Sequence, residues 1–386
     1  MRLSRKTPVT PREKILRALE PGGTPQIGAV SCYDGIFIRD HWSELTEVPW
    51  WMAGSGIVEQ EIEWRRDVLD RSGLAWLGQG GCPSRSERRA HRIERRDGEA
   101  WRVDTRTGEK SRLSKPTRSG TNTSCAKDVH FELDMLPSTP DQVDALIPLR
   151  PPVDVAAFRS EGRNDVALAA KERLGILTYG SSGSPLSSLH GVLGYEGMMI
   201  LLATRPDLAA HAGRRYLKNN VTRLEEQAEL GIDAVWVEEM FTDQISPELF
   251  RDINLPLLQE FTAAIRRFGL KSIYYYCGDP NGRLDLILRA AADAVHLEEG
   301  KKGFAIDIED VVALVDGRCT VFGNLDSVGV LQDGSGRALE AEVRRQLDAG
   351  RRNRGRFVMS TGSPITPDTP VERVRLYTDL VREMQE

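Results

Sequence analysis

Several things are scarce in this sequence. Its 386 residues include five cysteines, Cys32, Cys82, Cys125, Cys277 and Cys319, which are odd in number, scattered and never in a Cys-x-x-Cys pair. Neither a disulfide framework nor a zinc ribbon is therefore encoded, although single thiols stay available as ligands or nucleophiles. Positive charge is not in excess: 52 Lys and Arg stand against 57 Asp and Glu, a slightly acidic balance of -5 with no basic stripe. That argues against a nucleic-acid partner, since such binding rests on neutralising phosphates. No run approaches the roughly 18 to 20 apolar residues of a membrane helix, and Met1 to Lys14 is basic with no apolar stretch behind it, so a cytoplasmic protein without a membrane partner is expected. His41, His130, His190 and His296 form no metal-ligand spacing.

What is present has order. Thr10, Pro11 and Glu13 make a capping box with proline at the first helical position, and Pro21-Gly22-Gly23 ends that first helix. Ile27 to Cys32 reads as a buried strand delivering Tyr33 and Asp34 into a turn. Aromatic residues total only 6%, yet Trp42, Trp50 and Trp51 cluster within ten positions, where they can wall a pocket or cover the mouth of a barrel. Residues 86 to 115 read as polar antiparallel hairpins with Asp97-Gly98 and Thr107-Gly108 corners, an insertion within a single domain covering 1 to 386. The prolines between Pro137 and Pro152 read as an ordered connection.

From about residue 170 short apolar runs alternate with amphipathic segments, the rhythm of parallel β/α units. The expected strands are Leu174 to Tyr179, Ala234 to Val237, Lys271 to Tyr276, Ala292 to His296, Cys319 to Gly323 and Arg356 to Ser360, with helices at Pro206 to Leu230, Pro247 to Phe268 and Ser335 to Ala349. Adding Ile27 to Cys32 and Leu74 to Leu77 gives eight strands, which closes a (β/α)8 TIM barrel. A doubly wound sheet is the alternative, but its glycine fingerprint is missing.

In such a barrel the site lies at the carboxyl ends of the strands. The residues there are Cys32, Tyr33 and Asp34; Glu238 and Glu239; Tyr274, Tyr275, Tyr276, Cys277 and Asp279; Glu298 and Glu299; Asn324 and Asp326; and Ser363. Acids, phenols and a thiol converge. Adjacent Glu238 and Glu239 cannot both point inward from a strand. The tyrosines can equally fill a barrel layer, Cys277 can be a packed core thiol, and Lys301 and Lys302 read as a solvated edge rather than a Schiff-base site.

A series of motifs in order resembles the uroporphyrinogen decarboxylase superfamily, which also contains the cobamide (corrinoid)-dependent methyltransferases. These are Thr10-Pro11-Arg12-Glu13 with Leu16-Arg17-Ala18-Leu19; Gly180-Ser181-Ser182-Gly183-Ser184-Pro185; Glu226-Gln227-Ala228-Glu229-Leu230-Gly231-Ile232-Asp233-Ala234; Glu239 seven residues before Ser246-Pro247; Tyr276-Cys277-Gly278; Gly323-Asn324-Leu325-Asp326; and Thr361-Gly362-Ser363-Pro364-Ile365-Thr366-Pro367. The resemblance implies a (β/α)8 barrel. The porphyrinogen decarboxylases carry an arginine-rich Met-Arg-Gln-Ala-Gly-Arg-Tyr signature after the first strand and a histidine in the late glycine turn. Here Val30 to Arg39 holds one arginine and the turn holds Ser363, a poor match to a tetrapyrrole with many carboxylates.

Thiol-directed methyltransferases of the superfamily hold zinc with a His-x-Cys pair and a late cysteine. Cys277 matches the first cysteine, but Tyr275 and Ser363 replace the other two ligands. A zinc site rebuilt from Cys277, Glu239 and Glu298 stands beside a metal-free one. The resemblance thus points to a methyltransferase or demethylase that moves a methyl group from a small methylated donor, such as a methoxylated aromatic compound, to a separate corrinoid protein. No Asp-x-His-x-x-Gly sequence is present to carry the corrinoid on this chain. Breaking an ether bond calls for an acid at the leaving oxygen, for which Glu239, Tyr275 and Tyr276 are the candidates. Tyr33, Asp34, Arg39, Trp42, Asn324 and Ser363 are the expected substrate-binding residues. The runner-up is decarboxylation of a small or tetrapyrrole carboxylate, with Arg39 gripping the carboxylate and Asp34 stabilising a ring cation. The third reading is a non-catalytic barrel that binds a corrinoid protein or ligand.

Overall fold

The computed structural model describes residues 9–120, 131–300 and 303–385. Cys125, His130, Lys301 and Lys302 lie outside the described residues. Seven parallel strands run in the order β1 (Trp76–Gly78), β5 (Leu177–Gly183), β6 (Ala234–Glu239), β7 (Lys271–Tyr276), β8 (Ala294–Leu297), β9 (Thr320–Phe322) and β10 (Phe357–Val358). The backbone around Ala29 closes them into a barrel. Val30 N–H donates to Met359 O at 2.8 Å on one side, and Ala75 N–H donates to Ala29 O at 2.9 Å on the other. The fold is a (β/α)8 barrel.

The first stave is a single parallel bridge, Ala29 to Met359, and not the full strand expected over Ile27 to Cys32. Its ends are diverted to side chains: Cys32 N–H donates to Thr361 Oγ1 at 3.0 Å and Ile27 N–H to Gln385 Oε1 at 2.5 Å. β5 begins and ends later than expected. It carries Gly180-Ser181-Ser182-Gly183 into the ladder beside β6, with Gly183 opposite Glu238.

Side chains alternate across each strand. Ala234 and Trp236 of β6 and Ile273 and Tyr275 of β7 join the cluster inside the barrel, with Val30, Cys32, Trp76, Tyr179 and Phe322. Val235, Val237, Tyr274 and Tyr276 join the larger cluster beneath the helices. The helix Pro11–Ala18 closes the amino end of the barrel: Ile15, Ala18 and Leu19 belong to the inner cluster, and the Thr10 capping box with Glu13 is formed. Arg12 latches it there through two bonds to Asp233, 2.7 and 3.0 Å long. One end of the lumen is thereby plugged, which leaves the carboxyl ends of the strands as the accessible mouth.

The outer helices include Pro206–Glu229, Leu255–Arg267, Gly336–Arg352 and Val371–Glu383. The expected helix over Pro247 to Phe268 is interrupted by a π-helical turn at Phe250–Asn254. Such an extra residue redirects side chains and is frequent near functional sites. Here it turns Asn254 toward the end of β6. Residues 91–113 form a separate antiparallel sheet of β2 (His91–Arg96), β3 (Glu99–Asp104) and β4 (Lys110–Leu113), introduced by the helix Arg85–Ala90. Asp97 and Gly98, both with positive φ (53° and 82°), make the tight corner between β2 and β3. No helix among the described residues is long and apolar enough to cross a membrane.

Candidate functional site

The lumen is filled by aromatic rings. Trp76 packs on Tyr179, Trp236 and Phe322 with centroids 4.5, 5.2 and 5.5 Å apart, and His296 lies 5.0 to 5.5 Å from Tyr275, Trp236 and Phe322. His296 is fully buried, and its Nε2–H donates to Thr361 O at 3.0 Å. Burial lowers its pKa to about 3, so the imidazole is neutral. This layer is the floor of the mouth.

Above the floor stand Tyr33 and Glu238. Tyr33 has φ 50°, in the left-handed region that a bulky side chain adopts only when its surroundings hold it there. Its ring packs edge-on against Tyr275 at 5.5 Å and against Trp236 at 5.8 Å, and its hydroxyl donates to Glu238 Oε1. Burial raises the Glu238 carboxyl above its ordinary pKa, partly offset by the Tyr33 bond, while burial and then the Glu238 charge push the Tyr33 phenol well up. Cys32, Cys277 and Glu299 are near enough for Cys32 to feel the charges of the other two, and burial raises the Cys32 thiol well up. Tyr275 donates to Gly362 O at 3.2 Å.

Asp34 lies at the side of the mouth. It accepts from the Tyr179 hydroxyl and, at 3.0 Å, from Gly78 N–H, and burial raises its pKa. Tyr33, Asp34, Arg39, Gly78, Tyr179 and Ser181 border a cavity of about 560 Å³. Arg39 donates from Nε to Asp40 at 2.8 Å and from Nη2 to Ser119 Oγ at 3.0 Å.

Several expected site residues are placed elsewhere. Glu239 and Tyr276 are on the helix-facing side of β6 and β7. Fully buried, the Glu239 carboxylate accepts from Ser184 Oγ (2.8 Å), Asn254 Nδ2 (2.9 Å) and Tyr274 Oη (2.9 Å), and burial raises its pKa to about 7. Where sequence placed Trp42 over the substrate, its indole instead donates to Val48 O at 2.7 Å and packs on Trp64. The tryptophans of the lumen are Trp76 and Trp236. Asn324 ties loops together, donating to Glu298 O at 3.3 Å and Ile306 O at 3.0 Å. Ser363 is buried beside Gly362, where an added Cβ would lie 2.4 Å from Glu299 N.

The mixed set of Cys277, Glu239 and Glu298 is divided between the two faces of the barrel wall, because Glu239 is spent on its three donors outside. Among the described residues no three His, Cys, Asp or Glu side chains are grouped as metal ligands. Cys277, Glu239 and Glu298 together do not fit a zinc ion.

The residue that sequence reasoning passed over is Glu238. Both faces of β6 are buried, so apolar periodicity could not say which of two adjacent glutamates turns inward; counting in twos from Trp236 does.

A family model described as uroporphyrinogen decarboxylase (URO-D) matches residues 132–384. The chain belongs to the URO-D family. Its relatives within this family and beyond are enzymes. It is 26% identical over 258 residues to a uroporphyrinogen decarboxylase of Roseiflexus sp., covering 61% of this chain and 71% of that one. Another, from Aromatoleum aromaticum, is 31% identical over 193 residues, 49% of this chain and 52% of its own. A methylcobamide:CoM methyltransferase, MtbA, of Methanosarcina mazei is 24% identical over 133 residues, 34% of this chain and 38% of the other. This URO-D family chain thus spans about half or less of the length of the last two. A solved methyltransferase structure from Methanosarcina mazei superposes with a TM-score of 0.65 at 18% identity, covering 98% of this chain and 100% of that one. At that identity the likeness shows the barrel fold alone.

Proposed function

We propose that this chain is a methyltransferase that takes a methyl group from a small methylated compound, a methoxylated aromatic compound being the best fit, and passes it to a separate corrinoid protein. The observation that carries this reading is the Tyr33 to Glu238 hydrogen bond above an aromatic floor. When the methyl carbon–oxygen bond breaks, the oxygen keeps the bonding electrons and needs a proton. Glu238, its pKa raised by burial, is the acid: in its protonated form it donates to the Tyr33 oxygen, reversing the hydrogen bond seen in the free protein, while the Tyr33 hydroxyl gives its own proton to the leaving oxygen, which leaves Tyr33 neutral and Glu238 ionised. Tyr275 and Trp236 flank Tyr33 and shape a water-poor wall for an aromatic ring. The corrinoid, held by the partner, supplies the nucleophile for the methyl carbon. The methylcobamide methyltransferase among the relatives is in keeping with this reading.

Charge in the lumen favours it over removal of several carboxyl groups. Among the described residues the inner cluster carries phenols and thiols and no arginine; Arg39 and Arg223 stand outside it, on the border of the cavity. A second reading, decarboxylation, draws on one observation: Asp34 and Arg39 border the same cavity. Incubating the protein with a corrinoid protein and methoxylated aromatics carrying a labelled methyl group separates them. Label on the corrinoid supports methyl transfer. Carbon dioxide from a carboxylated substrate, with no label moved, supports the other.

A further inference from the structure

A larger cavity, about 1140 Å³, opens beside the mouth between the β2–β4 sheet, residues 150–163 and the helix Pro206–Glu229. Gly81, Phe158, Arg223 and Glu226 line both cavities, which therefore lie side by side. Most charges around the larger one are already matched. Arg88 is paired with Asp165, Arg163 with Glu87 and Glu161, and Arg92 with Glu94, while Asp154 caps the helix that follows it. Arg102, Arg150 and Arg223 border the same space, and among the described residues their guanidiniums have neither a carboxylate within salt-bridge distance nor a hydrogen bond. Against them stands the carboxylate of Glu226, equally without an ion pair.

We infer that Arg223 and Arg150 form a subsite for the anionic end, a carboxylate, of the methyl donor, whose methylated end reaches the Tyr33–Glu238 pair through the shared wall. This deepens the methyl-transfer reading and rests on it for the identity of the ligand's other end. Burial and then the like charge of Arg150 lower the pKa of Arg223, with Glu226 opposing them. A carboxylate relieves that repulsion and offers both guanidiniums an acceptor of matching planar geometry. Glu238 and Tyr33 offer that carboxylate no counter-charge, which favours the donor with its methyl group inward.

The test is binding, read by calorimetry without turnover, of a methoxyphenyl alkanoate and of its neutral methyl-ketone analogue. The acid is expected to bind about tenfold or more tightly than the neutral compound, and Arg223→Met and Arg150→Met are each expected to erase most of that preference. Arg344→Met, on the helix Gly336–Arg352, controls for general charge and should change nothing; circular dichroism confirms folding of each variant. Equal affinity of wild-type protein for the two probes, or an acid preference that both arginine variants retain, overturns the subsite. If the acid preference follows Arg223 but no methyl group moves to a corrinoid protein, the subsite stands and the methyl-transfer reading falls.

Discussion

Tyr33, in a left-handed backbone conformation after the first stave of the barrel, gives its hydroxyl hydrogen bond to Glu238 at the end of β6. Two segments more than 200 positions apart in sequence are thereby joined over an aromatic floor. If this pair delivers the proton, Tyr33→Phe and Glu238→Gln should each lower kcat by roughly a hundredfold or more. Tyr33→Phe also strips a buried carboxyl of its donor, at about 1 to 3 kcal/mol, whereas the melting point of Glu238→Gln should move little; single-turnover kinetics beside a melting curve checks both.

Glu239 should behave in the opposite way. Its carboxyl is raised from 4.5 to about 7 in the folded protein, so between those values the native state holds more proton than the unfolded chain. Its contribution to stability is present below pH 4.5 and is lost as pH rises through 7, in total on the order of 3 kcal/mol. The stability of wild-type protein minus that of Glu239→Gln should therefore fall across this window and be flat above it. Urea denaturation at a series of pH values measures the difference.

His296 has the reverse sign. With a folded pKa of about 3 against 6.5 for the free side chain, it is buried neutral. Its stabilisation is complete above pH 6.5 and is lost as pH falls toward 3. Wild-type stability minus that of His296→Phe should rise with pH between those limits, and the same titration of denaturation midpoints checks it.

Trp42→Phe tests the assignment of the first-loop tryptophans. Loss of the indole bond to Val48 and of packing on Trp64 should cost about 1 to 2 kcal/mol. KM should be unchanged, whereas a KM that rises severalfold at unchanged stability would return Trp42 to the substrate.

Gly362→Ala should damage the rim. Its new methyl would stand 2.4 Å from the Glu299 backbone nitrogen, and backbone cannot swing away as a side-chain tip can. A loss of about 1 to 3 kcal/mol with a fall in turnover is expected, read from denaturation and rate together.

Much of the barrel was legible because each stave is a short apolar run between amphipathic segments. Lys271 to Tyr276 is found where the sequence puts it, and the others shift by only a few residues. The first stave was less legible, since side chains of Thr361 and Gln385, far away in sequence, take the hydrogen bonds that would have lengthened it. In the mouth, Tyr33 and Tyr275 could be located as strand-end residues. Glu238 could not be chosen over Glu239, because buried strands with two apolar faces carry no alternation to read. The π-helical turn that brings Asn254 to Glu239 ends just before Pro256, whose missing N–H interrupts the helical ladder; the proline marks a break in the sequence without saying which side chain the break turns inward.

The most direct measurement follows a labelled methyl group through one turnover of the protein with a methoxylated aromatic acid and a reduced corrinoid protein, in wild-type and Glu238→Gln forms. Label should appear on the corrinoid with one equivalent of the phenol, and the variant should slow both by roughly a hundredfold. Release of carbon dioxide with the methoxyl group intact, or transfer at an unchanged rate by Glu238→Gln, would contradict the role given to this site.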